Sequence, residues 1–183
     1  MSREKDIETT SAFYGQLFNS SKYVMLIVVT ASGIQMYFLP ELLMFYGKGL
    51  LLILTLIKLG SIVALAFNQL IKIIGQSHLL SHILTLFGLL IGLIIFSFGI
   101  DYSALYMIDI TTFKTNLEGN AATINIFFEY LYMSTITFSS VGYGDIVPMT
   151  VLAKLIVMLE VALRFFVLVF GIANINQIRI NQN

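Results

Sequence analysis

Three groups of residues in this sequence have the types and spacing to do chemistry. In the first, Gly142 and Gly144 flank Tyr143 and are followed by Asp145. Glycine adopts a positive φ without a Cβ penalty, so a residue between two glycines keeps ordinary angles while successive backbone carbonyls turn to one side. The chemistry on offer is that of a row of main-chain oxygens. The second group is His78 and His82. Their i, i+4 spacing suits a metal or a pH sensor, yet no third ligand is evident, and the pair reads as interfacial histidines without a special role. The third group is charged and embedded in apolar sequence: Lys58, Glu160 and Arg164. Glu160 and Arg164 lie four residues apart on one helical face and are expected to form a salt bridge. Lys58 needs a counter-charge, because insertion scales put such a residue at roughly 2.5 to 3.5 kcal/mol at mid-membrane. Counting depth at about 1.5 Å per residue places Lys58 level with Glu160, so a shared charge cluster is expected.

No nucleophile, base and orienting residue fall together, and an enzyme is not expected. Cysteine is absent, which removes disulfides, thiolate metal sites and a cysteine nucleophile. Ten basic and ten acidic residues cancel, so the bulk charge gives no sign of a nucleic-acid partner. Of the 183 residues, 58% are hydrophobic and 11% charged, with a mean hydropathy of +0.91. A soluble domain does not carry that balance; an integral membrane protein surrounded by lipid does.

The elements that must position these residues follow from span length. A helix needs roughly 20 mostly apolar residues to cross about 30 Å of hydrocarbon, and four stretches approach that. The first is Tyr23 to Leu39, stopped by Pro40 and Glu41. The second runs from Gly49 to Ile74 and contains Lys58 and Lys72, with Gly47, Lys48 and Gly49 as the turn before it. The third runs from Leu79 to Ile100 and ends at Asp101; the fourth runs from Met149 to Ile175 and contains Lys154, Glu160 and Arg164. Between the last two, Ala121 to Ser139 is apolar and aromatic but too short to span, and it leads straight into the glycine-containing segment. It reads as a re-entrant helix, since non-helical backbone is tolerated at membrane depth only where protein or a water-filled cavity surrounds it.

Residues 1–22 form an expected cytosolic tail, 23–76 a two-helix hairpin, 77–176 an outer helix, short helix, loop and inner helix, and 177–183 a short cytosolic tail. Arg3, Lys5, Lys22, Lys72 and Arg179 fall on one side, Lys48 and Lys114 on the other, so both termini are expected in the cytosol. Tyr23, Tyr37, Tyr46, Tyr102 and Tyr106 lie near span ends and suit an aromatic belt. Asp101, Asp109 and Glu118 against Lys114 make the outer loop net acidic, which would concentrate cations there. Gly60, Ser61 and Ala64 would let the second span approach a neighbour closely.

The segment Thr137-Phe-Ser-Ser-Val-Gly-Tyr-Gly-Asp145 resembles the signature of tetrameric potassium channels, which most often reads Thr-Val-Gly-Tyr-Gly-Asp. Gly-x-Gly alone is weak, but here it follows a short apolar helix, lies between two spans, and precedes Pro148 and a long apolar helix, the order of a channel pore domain. The resemblance covers about Leu79 to Ile175 and leaves the first two spans outside. It implies an all-α membrane protein whose subunit has four transmembrane helices, a re-entrant pore helix and a filter loop. It also implies that the carbonyls of Ser140, Val141, Gly142 and Tyr143, with the Ser140 hydroxyl, replace the hydration shell of K+. Gly144 and Asp145 close the outer mouth, with Thr137 and Tyr132 as supports. The pore helix would aim its negative end at a central cavity, and Glu129 would suit its other end. One loop per chain implies three identical partners in a homotetramer. A bacterial plasma membrane is the expected setting. A poorly selective cation channel and a non-conducting scaffold keeping the pore fold are the competing readings.

The sequence also departs from that family. Ser140 stands where threonine is usual and lacks the methyl that stiffens the rotamer. Ile136 replaces a glutamate that in some bacterial members pairs with the filter aspartate, so Asp145 must find another partner. Tyr132 and Met133 occupy the neighbourhood of the usual aromatic brace. Arg164 takes the place of a hinge glycine, which leaves Gly171 to bend the inner helix, with Phe165, Leu168 and Ile172 as further cavity or gating candidates alongside Glu160. Neither of the first two spans contains arginine, so a voltage sensor is not expected. With a short tail after Ile175, a nucleotide-binding or calcium-binding regulatory domain is not expected.

Overall fold

The computed structural model describes the backbone of residues 2–39, 44–76, 80–117, 119 and 121–180, and the side chains of 21–39, 46–68, 84–117, 121–169 and a few residues besides. Within these residues the chain forms five α-helices: α1 (Ser2–Tyr37), α2 (Met44–Gln76), α3 (Leu80–Ile108), α4 (Thr123–Phe138) and α5 (Val151–Ile180). Two stretches, Tyr46–Asn68 in α2 and Leu84–Ile108 in α3, are long and apolar enough to cross a membrane. The window expected in α5 carries Lys154, Glu160 and Arg164, which sets it apart from those two.

The helix α3 is the hub, packing against α1, α2, α4 and α5. Its apolar side is buried through Leu86, Leu90, Ile94, Phe98 and Leu105. At 29 residues and about 1.5 Å each it extends about 44 Å, longer than the ~30 Å of hydrocarbon. That length corrects one expectation: Asp101 does not end the helix. It lies two turns inside it, fully buried, because a cation on α2 meets it there. The same extension takes Tyr102 and Tyr106 out of the expected aromatic belt, since both are buried, whereas Tyr23, Tyr37 and Tyr46 are exposed.

A second correction concerns Gly47, Lys48 and Gly49, which belong to the first turns of α2 and make no turn before it. Gly47 is there for proximity. A Cβ on it would lie 3.2 Å from the Leu39 carbonyl oxygen and 3.6 Å from Ile108 Cδ1, so its lack of a side chain lets α2 approach the end of α3. Pro40 and Glu41 lie outside the described residues.

The short helix α4 has 16 residues, about 24 Å, too little to cross a bilayer. It rests on α3 at Gly99, where a Cβ would come within 3.0 Å of Leu131 Cα. A chain of rings ties the end of α3 to α4: Tyr102 with Phe113 at 5.7 Å, Phe113 with Tyr130 at 5.0 Å, and Tyr130 with Tyr106 at 5.3 Å. No strand is expected from the sequence. The structure adds a minimal antiparallel ribbon, β1 (Phe113–Lys114) with β2 (Val147–Pro148), pairing Phe113 with Pro148 and Lys114 with Val147. Pro148 is tolerated because a two-stranded ribbon is all edge. The amide of Met149 extends the ribbon by donating to the Thr112 carbonyl at 2.9 Å.

Candidate functional site

The glycine-containing segment begins where α4 stops. The amide of Ser140 donates to the Thr137 carbonyl at 3.1 Å, and the amide of Val141 reaches back to the Ile136 carbonyl at 2.9 Å. This pair of reverse bonds is a Schellman closure, which satisfies the last helical carbonyls and requires a left-handed residue at the position Ser140 occupies. Ser140 has φ of 60°, the one non-glycine with positive φ among the described residues. Glycine is the usual residue there, so Ser140 holds its conformation against a penalty of roughly 1 to 2 kcal/mol.

Beyond the closure the sign of φ alternates. Gly142 has φ of 54° and Gly144 of 78°, while Val141 and Tyr143 between them stay negative. Alternating handedness directs successive N–H groups to one face of the chain and carbonyls to the other. The expectation from sequence asked this of Gly142 and Gly144 alone; Ser140 is the third member, and it is missed because serine carries no sequence signal for a left-handed angle. Residues 139–145 are exposed in the single chain, Tyr143 by 72%.

Asp145 has the new partner it required. The Tyr132 hydroxyl donates to Asp145 Oδ2 at 2.7 Å, and the Ile146 amide donates to Oδ1 at 3.1 Å. Tyr132 thus ties the exit of the segment to the middle of α4. Thr137 contributes its carbonyl to the closure, and Met133 is buried beside it in the helix core. Glu129 accepts a long hydrogen bond from Thr115, 3.4 Å.

The charged residues pair differently from expectation. Lys58 and Glu160 share no cluster. The Lys58 ammonium donates to Asp101 Oδ1 at 2.6 Å, Gln35 Oε1 at 2.6 Å and the Ser97 carbonyl at 3.2 Å, drawing α1, α2 and α3 together. With Ser32 Oγ at 3.5 Å as a fourth acceptor, every ammonium proton finds a partner, which is what allows the charge to be buried. Glu160 forms no salt bridge with Arg164 either. It is fully buried and accepts from the Tyr102 hydroxyl at 2.5 Å and the Ser134 hydroxyl at 2.6 Å. Arg164 turns the other way and stacks over the Phe165 ring, 4.9 Å from its centroid. Phe165 and Leu168 are exposed. The backbone of α5 is continuous through Gly171 and Ile172, whose side chains lie outside the described set. His78 and the side chain of His82 lie outside it as well.

The stretch from Asp101 to α4 is less acidic than its composition implied. Asp101 is neutralised in the core, and Asp109 accepts from Lys48 at 2.6 Å and from Thr111. The Lys48 ammonium, aided by Thr111, holds the Asp109 carboxyl down at about 2. Glu118 lies outside the described residues.

A family model described as ion channel matches residues 83–180, more than half of the chain. The chain belongs to this ion channel family. The ion channel domain takes in nearly all of α3, then α4, the alternating segment, the ribbon and α5, and leaves the α1–α2 hairpin outside. Together with the two apolar stretches it makes this a membrane protein of a transport family rather than of an enzyme family. No curated protein and no solved structure matches the chain.

Proposed function

We propose that this chain is one subunit of a homotetrameric channel that passes K+ selectively down its gradient. The observation that carries the reading is the alternation of φ at Ser140, Val141, Gly142, Tyr143 and Gly144. Four copies of such a segment around one axis offer rings of carbonyl oxygens that replace the water around a dehydrated K+. The Ser140 hydroxyl adds the innermost ring, and Asp145 and Gly144 line the outer mouth. In this reading α1, α2, α3 and α5 all cross the membrane, both termini are cytosolic, and no span acts as a voltage sensor. The cavity is lined from α5, with Phe165, Leu168 and Ile172 as candidates.

The decisive experiment reconstitutes the purified protein in liposomes and measures K+ flux, its block by barium, and reversal potentials under opposed K+ and Na+ gradients. Barium-sensitive flux with a reversal potential near that of K+ is the expected result. A reversal potential midway between the two cations would make the protein a poorly selective cation channel, and absence of flux a scaffold that keeps the pore fold.

A further inference from the structure

Behind the alternating segment lies a buried polar bridge that the conduction reading does not use. Glu160 on α5 holds the Tyr102 hydroxyl of α3 with one carboxyl oxygen and the Ser134 hydroxyl of α4 with the other, at 2.5 and 2.6 Å. All three residues are fully buried. Apart from these hydroxyls no hydrogen-bond donor reaches the carboxyl, and no cation pairs with it among the described residues.

Its position relative to the segment is specific. Ser134 stands one turn before Thr137 and two residues before Ile136. The Ile136 carbonyl accepts from the amides of both Val141 and Gly142, at 2.9 and 3.3 Å, and the Thr137 carbonyl accepts from Ser140. The last turn of α4 therefore anchors Ser140, Val141 and Gly142, the first three residues of the alternation, and Glu160 anchors that turn to the two long helices beside it. Tyr102 in turn follows Asp101, which Lys58 clamps to the hairpin. In apolar surroundings an interhelical hydrogen bond is worth more as a locator than as bulk packing, because few other partners exist for the groups it joins.

We propose that Glu160 is a positioning residue for ion selectivity: through Ser134 it fixes the end of α4, and with it the carbonyl spacing from Ser140 to Gly142. The inference rests on the potassium-channel reading above. Glu160 touches no ion and acts only through Ser134 and Tyr102. A carboxylate accepts from both hydroxyls, and a carboxyl or a carboxamide accepts from one and donates to the other, so the bridge needs hydrogen-bonding shape rather than charge.

The test compares Glu160→Met, Glu160→Gln, Ser134→Ala and Ser134→Thr in liposomes, reading the K+/Na+ permeability ratio from reversal potentials and oligomer melting in parallel. Ser134→Ala and Glu160→Met are expected to lower the ratio roughly five- to tenfold, the equivalent of the one hydrogen bond between Glu160 and Ser134 that both remove. Glu160→Gln and Ser134→Thr, which keep the bridge, should restore it to within about twofold. A merely structural Glu160 would shift melting and leave the ratio of the folded channels unchanged, and that result overturns the proposal. If Glu160→Met does not fold, Ser134→Ala decides alone, since it removes one hydroxyl and no large volume. A wild-type protein without K+ preference overturns the potassium reading and this inference together, whereas a selective wild type with indifferent variants overturns this inference only.

Discussion

The Lys58 ammonium lies 2.6 Å from the Asp101 carboxylate, and both side chains are essentially inaccessible to solvent. Each makes the other tolerable, because an unpaired charge at this depth would be far more expensive than the pair. Asp101 Oδ2 carries no hydrogen bond, so the acceptor side is not saturated. Replacing one partner, in Lys58→Met or Asp101→Leu, is expected to destabilise the fold by about 3 to 5 kcal/mol. The double variant should recover most of that loss. Thermal unfolding in detergent checks it, and equal melting of all four proteins would show that the pair contributes nothing.

At Ser140 two demands oppose each other. The left-handed angle favours glycine, while the proposed inner ion ring uses the hydroxyl. Ser140→Gly should therefore melt about 2 to 8 °C higher, reflecting relief of roughly 1 to 2 kcal/mol. The same variant should bind K+ more weakly, read as a smaller stabilisation on adding potassium. A variant that melts lower would mean that the Schellman closure is not strained by serine.

Tyr132→Phe removes only the hydroxyl that holds Asp145. Both residues are exposed, so the bond is expected to contribute little to overall stability. Its signature is faster decline of K+ flux during sustained conduction, measured by stopped-flow or bilayer recording, at an unchanged melting temperature.

Gly99→Ala would place a methyl group 3.0 Å from Leu131 Cα and 3.1 Å from its Cδ1. Backbone cannot yield as a flexible side-chain end does, so α4 must lift from α3, at about 1 to 3 kcal/mol. Reduced thermal stability together with lower K+ selectivity is the expected outcome, because the displaced helix carries the proposed ion-binding segment.

The Lys48–Asp109 pair fastens α2 to the chain leaving α3. The Asp109 carboxyl is depressed from 3.8 to about 2, so its contribution is fully present above about pH 4 and is lost as the pH falls through 2. Wild type should lose stability over that interval relative to Lys48→Met, in melting scans at low salt. Parallel curves would mean that the pair does not contribute to stability.

Local requirements are legible in the sequence. Gly142 and Gly144 announce positive φ by their lack of a Cβ, α4 announces itself as an apolar run too short to span, and Lys58 announces that some acceptor must meet it. Each of these depends on a residue and its near neighbours. The partners were not legible. Asp101 and Glu160 are both carboxylates embedded in apolar sequence, and depth along a helix is countable from sequence, but rotation about the helix axis and the order of neighbours are not. Tertiary packing turned Asp101 towards α2 and Glu160 towards α4, carried α3 two turns beyond its first charge, and set Ser140 left-handed because the end of α4 had to close on itself. Sequence alone thus determined which residues needed something unusual, while the arrangement of five helices decided what each of them received, since side-chain contacts between helices depend on facing directions that no single helix encodes.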